Sequence, residues 1–188
     1  ELTVTPDRYL TFRYAGASRT AYNQCLGHVN TNYQVRRAER EAGTPPEHAT
    51  PAVSWSKFSF INYINAYKNG TTEDSPTEVG EDGTVRRGWT WASEVCADVF
   101  ETAAVDAAAA YANASRTGHY PRFKAKHHTT PSFRLRNRKA PTAPAQDVRV
   151  TGVRTVRLPK LGEVAIFGST KRLRRAVAAG RFHIQSVT

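Results

Sequence analysis

The sequence predicts an α+β protein in which helices come first and a small, strongly basic β-structure follows. Apolar residues recur at helical spacing up to about residue 117, and alternate at strand spacing after residue 118. The charge divides in the same way. Residues 1–106 contain 10 Lys/Arg and 14 Asp/Glu, a net charge of −4, whereas residues 107–188 contain 17 and 2, a net charge of +15. A chain of 188 residues is long enough to bury a core for this architecture.

The first helix is predicted to begin at Thr5-Pro6-Asp7, which combines a capping hydroxyl, a proline at the first helical position and an acid near the positive end of the dipole. It is predicted to end at Gly43-Thr44-Pro45-Pro46. A second helix is predicted over residues 54–69, with Gly70 as its terminator. The apolar faces of these two helices are formed by Tyr22, Leu26, Val29 and Tyr33, and by Phe60, Ile61, Ile64 and Tyr67.

A third helix is predicted over residues 93–114, and its alanine run at 107–110 strongly favours helix. Its apolar stripe is formed by Val95, Val99, Ala103, Ala107 and Tyr111. Residues 71–90, which separate the second and third helices, are polar and mostly acidic. This composition predicts a mobile loop.

After Gly118 the pattern changes to that of strands. Phe133 and Leu135 alternate with arginines, and residues 140–146 form a flexible or extended connector. Three more short strands are predicted in VRTVRLPK (153–160), GEVAIFG (162–168) and GRFHIQSVT (180–188). Between the last two, residues 169–180 predict a short basic helix capped by Ser169 and closed by Gly180.

The stretch 118–139 contains seven Arg or Lys residues and no acid, with Tyr120, Phe123 and Phe133 among the charges. Arginines at alternate strand positions rise about 6.6–6.8 Å apart, which is similar to the spacing of successive phosphates. Such charge asymmetry indicates a nucleic-acid partner. The alternative is a solvated strand face whose arginines point outward while Phe133 and Leu135 are buried. A membrane is disfavoured because the basic part is expected to contain neither a long apolar run nor a strongly amphipathic helix.

Enzyme signatures are absent: there is no GxSxG, no HExxH and no phosphate-binding glycine loop. Glu94, Asp98 and Glu101 could share one helix face and bind magnesium. Acids in the first turns of a helix are, however, more often surface residues that complement the dipole. His127-His128 has no third ligand nearby. Trp55 is either a core residue, which is favoured, or a platform on which a base stacks.

The chain contains no Met, which indicates a fragment that lacks at least its own beginning. It has no recognisable signal peptide or membrane span, which predicts a cytoplasmic location. Cys25 and Cys96 lie far apart and outside any CxxC, so neither a disulfide framework nor a zinc site is predicted.

Four segments resemble one family. GHYPRFKAK (118–126) resembles the G-[FY]-P-R-F-K-x-K signature of TnpB (OrfB) proteins and the related type V CRISPR effector nucleases. VRLPKLGEVAI (156–166) is similar to that family's I-x-L-P-K-L-G-x-V-x-V segment, and GASRTAYNQCL (16–26) to its G-x-x-R-x-x-Y-N-x-x-L helix. FHIQSVT (182–188) resembles the segment that ends just before the nuclease domain. The segments occur in family order and span nearly the whole chain.

The resemblance implies a helical recognition lobe inserted into a small antiparallel β-barrel of the oligonucleotide-binding type, called the wedge. Residues 1–7 would be a partial first wedge strand, 8–117 the recognition lobe with its mobile loop 71–90, and 118–188 the basic wedge. The family's RuvC-like catalytic carboxylates lie beyond the segment that matches Thr188. This segment is therefore expected to be non-catalytic and to hold no cofactor, with magnesium expected only in the missing nuclease domain.

The function implied is that of the nucleic-acid-binding part of an RNA-guided DNA-targeting protein in the bacterial cytoplasm, associated with the nucleoid. Its partners would be a guide RNA and double-stranded target DNA, with no membrane. The residues expected to hold guide RNA and duplex backbone are Arg19, Tyr22, Asn23, Arg122, Lys124, Lys126, Arg134, Arg136, Arg138, Lys139 and Lys160. Those expected to recognise the DNA that flanks the target are Trp55, Lys57, Ser59, Ala97 and Glu101.

Three features depart from the family's pattern: the partial first strand, the long 71–90 loop and the basic insertion at 169–175. Two alternatives therefore stay open. The first is a stand-alone DNA-binding regulator of the helix-turn-helix type, which the acidic character of the helices disfavours. The second is an RNA-binding protein of a large ribonucleoprotein, which would share both the charge and the lack of catalytic motifs.

Overall fold

The computed structural model describes residues 8–80, 82–128, 130–137 and 147–188, and these form a mixed α+β protein, as predicted. Its α-helices are α1 (Arg8–Glu41), α2 (Lys57–Lys68), α3 (Ala97–Thr117) and α4 (Lys171–Ala178). A short 3-10 helix, Thr90–Glu94, precedes α3. The predicted helix start at 5–7, the partial first strand at 1–7 and the connector at 140–146 lie outside the described residues.

The predicted ends of the first two helices are confirmed within a few residues. Helix α1 ends two residues before Gly43, whose φ is +74°. Helix α2 begins after Ser56, which caps it by accepting a hydrogen bond from the Ser59 amide at 3.2 Å. Gly70 follows α2 at φ +77°, and a Cβ there would lie 2.6 Å from the Arg87 backbone. Only glycine combines this φ with so close an approach.

The third helix begins and ends later than predicted. It starts at Ala97 and continues to Thr117, where Gly118 ends it at φ +74°. Residues 90–94 form the 3-10 helix instead, and Val95 is extended and almost fully buried. Val95 matches the apolar spacing of the helix because its side chain is buried, but its backbone is extended. An extended residue just before a helix can therefore look like part of the helix in the sequence.

Residues 71–90, the predicted loop, contain a short β-hairpin. Strands β1 (Thr77–Val79) and β2 (Val85–Arg87) pair antiparallel, with Val79 opposite Val85. The Arg87 guanidinium donates to the Thr72 carbonyl at 2.8 Å, and the Thr90 hydroxyl donates to Glu78 at 2.7 Å. These contacts tie the hairpin to the segments on either side of it; its mobility stays a prediction.

The basic part forms two small antiparallel sheets and α4. Its strands are β3 (Leu135–Arg136), β4 (Arg149–Val150), β5 (Thr155–Leu158), β6 (Gly162–Ala165) and β7 (Ser186–Val187). Strand β3 pairs with β7, and the other sheet has the order β4-β5-β6. The predicted strands and the predicted basic helix are confirmed at this level, except that Thr170 and not Ser169 is the N-cap residue of α4. Within the described ranges, the sheets do not close into a barrel.

One core unites the helices with the basic part. Tyr14 of α1, Phe60 of α2 and Phe100 of α3 are fully buried in the same cluster as Leu135 and Leu158. The basic β-structure therefore packs on the helices through its apolar residues and leaves its cations near the surface. None of the helices in the described ranges combines the length and the apolar composition that a membrane crossing needs.

Candidate nucleic-acid interface

Helix α1 holds residues 118–128, here called the basic loop, through the side chain of Asn23. The Asn23 amide nitrogen donates to the Lys124 carbonyl at 3.0 Å, and the Lys124 amide donates to the Asn23 carbonyl oxygen at 2.8 Å. The loop contains no regular helix or strand of its own, so this pair of hydrogen bonds fixes its backbone at the middle of PRFKAK. Two of the segments that carry the family resemblance are thus in direct contact.

Tyr22, the neighbour of Asn23, contacts the same lysine. The Lys124 ammonium lies over the Tyr22 ring, 4.1 Å from its centroid, in a cation–π contact. Burial lowers the pKa of Lys124 and raises that of Tyr22 from their ordinary values. Tyr22, Asn23 and Lys124, three residues expected to hold RNA, therefore contact one another, with Lys124 half-buried in the seam between α1 and the loop.

The remaining side chains of the basic loop alternate between cations and aromatic rings at the surface. Arg122 and Lys126 are exposed, as are Tyr120 at 78% and Phe123 at 57%. The bases of a single-stranded nucleic acid stack on exposed rings, while cations contact its phosphates. The loop therefore presents cations for the phosphates and rings for the bases of a single-stranded nucleic acid.

A cleft of about 540 Å³ opens between α1 and the end of the basic loop. It is lined by Gly16 and Arg19 from α1 and by Lys126 and His127 from the loop, together with the exposed ring of Phe12. Arg19, an expected RNA-binding residue, thus faces the same space as Lys126. The absence of a side chain at Gly16 leaves room here, since nothing lies within 4 Å of a Cβ at that position.

The strand arginines have a different environment from the loop cations. Arg136 donates from Nε and Nη2 to Asp98 Oδ1 at 2.9 and 2.7 Å, and from Nη2 to Glu101 at 3.0 Å. Its backbone amide also donates to Asp98, whose side chain is 5% exposed. Arg134 forms an ion pair with Asp106 at 3.2 Å. Both arginines thus pair with carboxylates of α3, and neither is the freely solvated side chain that the alternative of a solvated strand face predicts.

These ion pairs also change the interpretation of the acids Glu94, Asp98 and Glu101, which were predicted to lie on the surface of one helix. Asp98 is a buried partner of Arg136, so its interpretation as a dipole-complementing surface residue is wrong. Glu94 lies in the 3-10 helix and forms an ion pair with Arg13 of α1. Within the described ranges, no group of three or more His, Cys, Asp or Glu side chains is placed to hold a metal ion.

Lys160 lies in the turn between β5 and β6, at φ +60°. Its ammonium donates to the carbonyls of Ser93 at 2.7 Å and Val95 at 3.1 Å, the residues that lead into α3. This lysine, which was expected to hold RNA, thus joins the β-sheet to the segment that leads into α3. The remaining two expected RNA-binding residues, Arg138 and Lys139, lie outside the described residues.

The residues expected to recognise flanking DNA do not share one set of contacts. Trp55 precedes α2 and stacks one ring face on Tyr111 of α3, with centroids 5.2 Å apart, while 46% of the residue stays exposed. It is therefore neither a fully buried core residue nor a free platform. Lys57 and Ala97 are exposed and Ser59 is half-buried. Glu101 contacts Arg136 on the strand side of α3.

Comparison with family models and with curated proteins gives no match to this chain.

Sequence reasoning missed the ion pairs between α3 and β3. Asp98 and Arg136 are 38 residues apart, and no local spacing rule joins a helix to a strand over that distance. One signal was present: acids at 98, 101 and 106 and arginines at 134 and 136 are opposite charges on elements that both carry an apolar stripe. Two elements that pack through such stripes bring their flanking charges together.

Proposed function

We propose that this chain is the nucleic-acid-binding part of an RNA-guided DNA-targeting protein. In this proposal it holds the backbone of a guide RNA and of the guide–target duplex, and reads a short DNA motif beside the target. The observation that carries the proposal is the pair of hydrogen bonds between Asn23 and Lys124. They hold together two segments of the family resemblance, and fix a loop whose exposed side chains suit RNA.

The exposed side chains of the basic loop supply the two kinds of contact that a single-stranded RNA needs. Arg122 and Lys126 supply positive charge to phosphates, and the rings of Tyr120 and Phe123 supply surfaces for stacking. Backbone charges position a nucleic acid without reading its sequence. The target sequence would then be recognised by base pairing with the guide RNA, while the protein recognises the shape and backbone of the duplex.

The finer architecture belongs to the same proposal. The helices would form a recognition lobe, and the β3–β7 and β4–β5–β6 sheets would be parts of one oligonucleotide-binding-type wedge. Catalysis would lie in a separate RuvC-like domain that holds magnesium, and this segment would bind without cleaving. The exposed ring face of Trp55 would belong to the surface that meets flanking DNA. A bacterial, nucleoid-associated location follows from these partners.

The proposal is tested by purifying the tagged chain from bacterial cells and sequencing the nucleic acid that accompanies it. We expect recovery of a discrete, structured RNA that ends in a variable guide-like segment. An Arg122→Ala/Lys126→Ala variant should recover much less of it, whereas Arg36→Ala/Arg40→Ala, which removes the same charge from the other end of α1, should not.

Two other outcomes would contradict the proposal, and each would support one of the alternative functions. Enrichment of one duplex DNA sequence, without RNA, would indicate a regulator of the helix-turn-helix type. Uniform recovery of ribosomal RNA, with no guide-like species, would indicate a component of a large ribonucleoprotein.

A further inference from the structure

Helix α4 is a second concentration of positive charge, remote in sequence from the basic loop. Residues 164–188 contain no Asp or Glu. The helix is anchored at its start, where the Thr170 hydroxyl donates to the carbonyls of Gly152 at 2.6 Å and Val153 at 3.1 Å. Beyond that anchor its cations are all exposed: Lys171, Arg172, Arg174 and Arg175. A rigidly attached, exposed cationic helix suits an anionic ligand.

A cavity of about 410 Å³ lies between α4, strand β4 and residues 180–184. Val148 and Val177 contribute apolar residues to its lining, and Arg149 and Arg174 also line the space. Phe182 lies in the lining as well, yet is 65% exposed. Among the described residues that form this lining, none is Asp or Glu.

The lining combines what one nucleotide needs. An apolar surface with an exposed ring favours the flat face of a base, and two arginines favour its phosphate. The volume falls within the range of pockets that take small molecules. Helix α4 is strongly amphipathic, so the expectation that the basic part lacks such a helix is wrong. A lipid surface still fits less well, because the eight residues of α4 offer only a narrow apolar face, whereas a membrane-binding helix requires a broad one.

We propose that this cavity binds an unpaired nucleotide of the nucleic acid, with its base against Phe182 and its phosphate between Arg149 and Arg174. The inference rests on the proposed function and adds to it a second contact site, distant in sequence from the basic loop. The fold would thus hold a single-stranded segment at the loop and an extruded or terminal nucleotide beside α4.

The test measures binding of the full chain to fluorescein-labelled oligouridylate of 12 nucleotides, and to a blunt 12-base-pair duplex, by fluorescence anisotropy. We expect Phe182→Ala to weaken binding of the single strand by about fivefold or more, the usual loss when a stacking ring is removed. Binding of the blunt duplex should be unchanged. Phe182→Trp keeps a ring and should retain the affinity, which separates stacking from misfolding.

Two matched controls come from the same region. Phe167 is exposed on the segment after β6 and does not line the cavity, so Phe167→Ala should leave single-strand binding unchanged. Arg172 lies on α4 but also outside the lining. Arg174→Ala should therefore reduce the slope of log affinity against log salt by about 0.7, and Arg172→Ala should reduce it less.

The outcomes separate this inference from the proposed function. If the wild-type chain binds neither oligonucleotide, the proposed function fails. If it binds both and Phe182→Ala matches wild type, or weakens both probes equally, the nucleotide site is wrong while the proposed function stands. Vesicles of phosphatidylserine that bind the wild-type chain but not Arg174→Ala, with oligonucleotide binding intact, would assign α4 to a membrane instead.

Discussion

The basic loop and strand β3 are close in sequence and similar in composition, but their cations have different surroundings. In the loop, Arg122 and Lys126 are exposed while Asn23 holds the backbone beneath them. On the strand, Arg136 is bound by Asp98 and Glu101. The difference lies in the facing element: α3 offers carboxylates to the strand, whereas α1 offers an amide and a ring to the loop. Charge density alone therefore does not identify a binding residue, because some arginines neutralise the protein's own acids.

The largest effect is expected from Arg136→Ala, which should lower the free energy of unfolding by about 2–3 kcal/mol. The substitution removes the guanidinium from a carboxylate that is 5% exposed. Arg122→Ala, which removes an exposed cation from the loop, should change the stability by less than about 0.5 kcal/mol. Urea unfolding of the two variants makes the comparison. Equal stability of both would mean that the strand arginine is as free as the loop arginine.

A smaller loss is expected from Asn23→Ala, at about 1–2 kcal/mol for two hydrogen bonds. The chain offers a matched control in Asn32→Ala. On the same helix, Asn32 also makes two hydrogen bonds to the backbone, with Pro51 at 2.9 Å and Val53 at 3.1 Å, far from the basic loop in sequence. Both variants should lose similar stability in urea unfolding. Only Asn23→Ala should weaken binding to single-stranded RNA, since only it releases the loop.

Loss of RNA affinity in Asn32→Ala as well would contradict this account. It would indicate that the affinity depends on overall stability and not on the position of the loop.

A third and smaller loss of stability is expected from Lys160→Met, at about 1 kcal/mol, because its ammonium donates to two carbonyls before α3. RNA affinity should be unchanged, since this cation is already engaged within the protein. Lys126→Met should give the reverse, with unchanged stability and weaker binding. Thermal unfolding and anisotropy on the same samples distinguish the two lysines. If Lys160→Met weakens RNA binding as much as Lys126→Met does, Lys160 contacts RNA as the loop lysine does, and this account of Lys160 is wrong.

The elements of the fold were predictable where a local pattern decides them. The periodic apolar residues of α1 and α2, and glycines such as Gly43 and Gly70, mark helices because burial and backbone freedom act over a few residues. The start of α3 was not predictable in this way, because Val95 is apolar for burial in an extended conformation. The hairpin at 77–87 was missed because its strands are only three residues long and consist of exposed residues, which leave no apolar pattern of burial.

The candidate site was predictable in composition but not in arrangement. Family resemblance assigned Asn23 and Lys124 to RNA binding, but no local rule could pair two residues 101 positions apart. The same resemblance grouped Arg136 and Lys160 with the loop cations as residues expected to hold RNA. What separates them is the packing of α3 against the β-structure, which depends on the whole core and not on a motif.

The most direct test of the central claim is the salt dependence of RNA binding, measured for the wild type and two charge-matched variants. For a single-stranded RNA, we expect Arg122→Ala/Lys126→Ala to reduce the slope of log affinity against log salt by about 1.4, at about 0.7 per phosphate contact. Arg36→Ala/Arg40→Ala removes the same charge and should leave the slope near that of the wild type. Equal slopes for the two double variants would contradict the claim that the basic loop holds the RNA backbone.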